Sequence, residues 1–153
     1  MSEDKLRKMV DDAIQSVAHR DDATKIAKQE HEMEMKASGQ KLRDIVLPRL
    51  LAAQKAWDGK LKLDITDNSD KFSSGENGVR TNPSIKATVS GRHPAAYVFI
   101  THSPGYASVQ EGIGANRSTV YKFQVNELID FTEAKIDEIL QDLVHTATGL
   151  KSR

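Results

Sequence analysis

Seven residues, 95–101 (Ala-Ala-Tyr-Val-Phe-Ile-Thr), constrain this chain more than any other stretch, because both parities of the run are apolar. In an extended chain Tyr97 and Phe99 point to one side and Val98 and Ile100 to the other, so the segment wants hydrocarbon on both faces. β-Branched and aromatic residues fill it, and turn residues close it, Arg92-His93-Pro94 before and Ser103-Pro104-Gly105 after. A strand with two apolar sides belongs at the centre of a sheet, and the rest of the fold is expected to assemble around it.

Its neighbours alternate on one side only. Leu61, Leu63 and Ile65 form one such set, and Ile85, Ala87 and Val89 a second. A modest strand follows at 106–111 and a stronger one at 119–125, where Tyr121, Phe123 and Val125 share a parity; the glycine-rich segment from Gly112 joins them as a hairpin loop. Between the first two strands, residues 67–83 are polar and glycine-containing and are expected to form a long exposed loop.

Helices flank the strands. Residues 40–57 carry a dense apolar stripe (Leu42, Ile45, Val46, Leu50), with a kink expected at 44–48 because Pro48 has no amide proton to donate. Residues 131–147 repeat the pattern through Ile136, Ile139, Leu140 and Leu143, with Asp130 and Glu133 as a capping box and Gly149 as the stop. Asp137, Glu138, Gln141 and Asp142 fall on the opposite, solvent-directed side. The order of helices, strands, then helix predicts an α+β domain, a four- to five-stranded antiparallel sheet with residues 40–57 and 131–147 on its apolar face.

The beginning of the chain is different. Residues 3–37 hold neither Gly nor Pro, and Leu6, Met9, Val10, Ala13, Ile14 and Val17 recur at helical spacing. Beyond them the stripe thins, and His31 stands where an apolar residue would continue it. A helix so long and so sparsely apolar buries little against its own domain and packs on a copy of itself or on a partner. With Ser38-Gly39 as a helix break, the expected organisation is an extended helical arm over 1–38 and a single domain over 39–153.

Composition removes several function classes. The chain has no cysteine, which excludes disulfides, thiol nucleophiles and cysteine-ligated zinc, and fits a reducing, cytoplasmic setting. Lys+Arg and Asp+Glu are equal at 22 each, so no strong field advertises nucleic acid or an anionic membrane. No window approaches a membrane span. The five histidines form no metal-binding pair, and neither a metal nor a cofactor is expected.

Three functional readings remain. The first is a non-enzymatic assembly or adaptor protein, chaperone-like, acting as a homodimer or other homo-oligomer through the N-terminal helix, with a further protein partner as a variant. The second is a module for single-stranded nucleic acid or a phosphorylated ligand. There Lys62, Lys86 and Lys122 would neutralise phosphates, Tyr97 and Phe99 would stack bases, and Arg117 would act as counter-charge beside the 112–117 loop. The competing expectation is that the second sheet face is covered by a helix or another subunit, with lysine stems along its edge. The third is a small enzyme with a site around His102, Ser103, Tyr106 and Arg117, for which no spacing fixes a third group to orient a base.

Overall fold

A computed structural model describes residues 2–75, 78, 80–112 and 118–150 of the 153-residue chain. Its elements are α1 (Glu3–Ala56), β1 (Lys62–Asn68), β2 (Ser73–Ser74), β3 (Arg80–Thr81), β4 (Ser84–Ser90), β5 (Ala95–Ser103), β6 (Tyr106–Glu111), a 3-10 turn (Leu128–Asp130) and α2 (Glu133–Thr148). The fold is α+β. Four antiparallel strands lie in the order β1-β4-β5-β6, so the doubly apolar strand β5 has a bonded neighbour on each side.

Register decides which side chains meet. Ile85, Ala87 and Val89 pair with Phe99, Tyr97 and Ala95, while Phe99 also pairs with Val109 and Leu63 with Val89. Paired residues share a face, so these side chains form one apolar surface. Leu42, Val46 and Leu50 of α1 and Ile136, Ile139, Leu140 and Leu143 of α2 cover it, all but excluded from solvent. Phe131 closes on Phe99 with ring centroids 5.4 Å apart, edge to face. Arg49 of α1 ties the helices together by a two-pronged hydrogen bond to Asp137, with Nη2 at 2.6 and 2.8 Å from the two oxygens.

Four local expectations give way, each for a physical reason. First, α1 does not break at Ser38-Gly39. Both residues are buried inside the helix, and a Cβ on Gly39 would lie 2.1 Å from the Ser69 carbonyl oxygen and 2.7 Å from Pro83 Cβ. The glycine is there to let the loop after β1 touch the helix backbone. Replacing Gly39 by alanine would gain ~1 kcal/mol in helix propensity, but the methyl has no room. We expect a net loss of roughly 2 kcal/mol, a fall of about 5 °C in Tm by thermal unfolding. An unchanged or higher Tm would mean the contact yields freely. Pro48, where a kink is expected, lies inside the helix.

Second, residues 119–125 form no strand. Thr119 makes one bridge to Gln110 and Val120 N–H bonds the Val109 carbonyl, and the chain then turns with Gln124 at φ 56°. Phe123 and Val125 still go into the core, whereas Tyr121 is 80% exposed. Third, Asp130 ends the 3-10 turn and reaches back to its cap, Glu127, accepting from the Asn126 and Glu127 amides, both at 2.9 Å. The α2 helix starts two residues later with Thr132 as its cap, accepting from the Lys135 amide, and stops as expected at Gly149, whose φ of 77° is left-handed. Fourth, the 67–83 segment is partly regular, because β2 and β3 pair within it.

The chain divides into two compact units, one of residues up to Met33 and the other from Glu34 onward. The sheet, α2 and the C-terminal part of α1 make up the second.

Candidate functional site

Within the first unit the chain is a single run of helix, started by Ser2, whose hydroxyl accepts from the Lys5 amide at 3.3 Å. Successive residues are ~100° apart around a helix, so Leu6, Met9, Val10, Ala13, Ile14 and Val17 fall within one stripe, with Asp11 and Asp12 well outside it. Every residue from 2 to 34 is exposed, and the stripe is no exception: Ile14 keeps 61% of its surface in water and Val10 57%. In the second unit the apolar positions of the same helix, Leu42, Val46 and Leu50, are fully excluded from solvent. Burying a side chain of this size is worth roughly 1.5–3 kcal/mol, so five neighbouring ones left about half in water, with exposed Ala13 among them, form a surface built to be covered.

The basic and aromatic residues weighed for a phosphate-bearing ligand do not come together. Tyr97 and Phe99 face the helices and are buried, whereas Lys86 pairs with Val98 and so lies with Lys62 on the opposite sheet face. The rings therefore offer no stacking surface. Arg117 lies outside the described residues. On the second face Ala96 and Val98 are each only 1% exposed within this chain, whereas Ile100 stays part-exposed. The Gly112 amide bonds the Ala96 carbonyl at 2.9 Å. A Cβ on Gly112 would touch Ala96, Val98 and the Lys86 stem at 3.1–3.2 Å, so the lysine stem does run along this edge.

Lys122 is found elsewhere, in a polar cluster the sequence does not announce. Its Nζ lies 2.9 Å from Asp142 Oδ2 and 5.2 Å from the centre of the Phe123 ring. The same carboxylate oxygen accepts the hydroxyl of Tyr97. Asp142, assigned to the solvent side of α2 by helical spacing, is only 5% exposed. Glu138, Gln141 and His145 complete a hollow of about 370 Å³ around the pair. The buried carboxylate receives both donors on one oxygen, which makes the cluster an anchor between β5, the 119–125 segment and α2.

His102 does not join Ser103 or Tyr106. Its Nε2 meets the Ser108 hydroxyl, Arg80 donates to its carbonyl at 3.4 Å, and Tyr106 is exposed. Burial, and next the Arg80 charge, hold the imidazole below its ordinary 6.5. The unfolded chain then takes up the proton more readily, so stability is intact above about pH 6.5 and falls as pH drops toward the lowered folded value. A Tm profile between about pH 7.5 and pH 5 should flatten in His102→Gln; an unaltered profile would remove His102 as the source. Among the described residues no three His, Asp or Glu side chains gather closely enough for a metal ion.

No family model, no curated protein and no solved structure matches the chain. Function therefore rests on the residues themselves. Among the described residues no helix is long and apolar enough to cross a membrane.

Proposed function

We propose that this chain is a non-enzymatic assembly or adaptor protein that works as a homo-oligomer, most simply a homodimer, through the helix of its first unit. One observation carries the reading: the apolar side chains at 6, 9, 10, 14 and 17 stand about half in water along one stripe, with exposed Ala13 among them. A helix without tertiary support is marginal in water, and stability comes from packing its apolar face. A second chain supplies that packing. Residues 3–33 carry eight carboxylates against six Lys and Arg, so they give no cationic face for an anionic membrane. A cysteine-free chain fits the reducing cytoplasm, where we place it.

Amide hydrogen exchange tests this. Protection of residues 6–17 should rise with protein concentration while that of β5 stays constant. Exchange at 6–17 that is fast and independent of concentration would dispose of the assembly reading.

A further inference from the structure

The stripe has a symmetry that sets how two copies meet. Reversing the chain about the midpoint between Asp11 and Asp12 exchanges Leu6 with Val17, Met9 with Ile14, and Val10 with Ala13. The spacing of the apolar positions is therefore the same in both directions. A partner running the opposite way brings an apolar residue level with an apolar residue at every step. This is the self-complementarity that a two-fold axis demands, in which each residue i meets j and j meets i. We propose that two copies pair antiparallel along residues 6–17, the two-fold passing beside Asp11 and Asp12. The inference rests on the assembly reading above and adds its geometry.

The residues beyond the stripe favour the antiparallel arrangement over a parallel one. Continuing the same face past Val17 leads to Arg20, Asp21, Thr24, Ala27, Lys28 and His31. In a parallel, in-register pair each of these would face its own copy, placing Arg20 against Arg20 and Lys28 against Lys28 in the seam, and like charges so juxtaposed repel. Antiparallel pairing centred at 11–12 limits the overlap to the region before Ala23, and leaves Thr24, Lys28 and His31 outside it. The helix dipoles also oppose each other in this arrangement and add when parallel. Together the two stripes and their flanking stems remove on the order of 1,000 Å² from water, at the lower end for a specific interface.

The chain has no cysteine, so single cysteines can be introduced and spin-labelled without interference. Asp4→Cys, Asp12→Cys and His19→Cys all lie off the stripe, and dipolar spectroscopy reads the distance from each label to its own copy. Antiparallel pairing predicts the shortest distance at position 12. Labels at positions 4 and 19 should both be longer, each displaced along the axis by roughly 22 Å from its copy. Three similar distances would overturn the antiparallel arrangement and leave dimerisation standing. Absence of coupling at all three positions, in a protein that sediments as a dimer, would move the interface off this helix. Absence of coupling in a protein that sediments as a monomer would remove the assembly reading too.

Discussion

Replacing Asp142 by alanine is expected to lower the free energy of unfolding by roughly 3 kcal/mol, a fall of about 10 °C in Tm. The carboxylate is 5% exposed and receives the hydroxyl of Tyr97, itself 1% exposed, together with the Lys122 ammonium at 2.9 Å. Among the described residues no buried side-chain nitrogen or oxygen lacks a partner, so the variant would introduce an orphan into an otherwise satisfied core. Leaving a buried hydroxyl unpaired costs about 1–3 kcal/mol. Lys122 is about half exposed and can turn to water, which keeps the total at the low end for a broken buried pair. Tyr97→Phe removes one donor and leaves the ion pair, and should cost only about 1 kcal/mol. Denaturant unfolding separates the two; a cost below about 1 kcal/mol for Asp142→Ala would mean that solvent reaches the cluster and replaces its hydrogen bonds.

The second large effect concerns the first unit. Leu6→Glu combined with Ile14→Glu places four carboxylates in the proposed seam of two copies and should weaken self-association by at least ~100-fold, about 3 kcal/mol. Both residues are exposed, so the unfolding of the sheet domain at low concentration should move by no more than about 0.5 kcal/mol. Lys8→Glu, off the stripe, is the control and should leave association unchanged. Loss of association in the control as well as in the double variant would point to net charge in place of the apolar face.

What the sequence made legible was periodicity, and what it hid was proximity. The two apolar parities of β5 place it inside the sheet, and the stripes at 42, 46, 50 and 136, 139, 140, 143 mark the helix faces that cover it. Gly39 reads as a helix breaker because its packing against Ser69 and Pro83 comes from residues thirty and forty-four positions later. The 119–125 run alternates like a strand, yet its hydrogen bonds to β6 stop after Val120 and the chain turns at Gln124. Asp142 sits at a polar position of a helical wheel. Only Tyr97, forty-five residues earlier, reveals that the position is buried. As for the candidate ligand residues, parity places Lys62 with its strand's polar side, but no local rule says which side of β5 carries the rings, and register puts Tyr97 and Phe99 among the helices.

The central claim is that the stripe at residues 6–17 is covered by another copy of this chain. Sedimentation equilibrium of the full chain, up to about 100 µM, tests it most directly. A dimer formed through the stripe predicts a weight-average mass that climbs from 17.0 kDa toward twice that value as concentration rises. A mass that stays at 17.0 kDa across the whole range would contradict it.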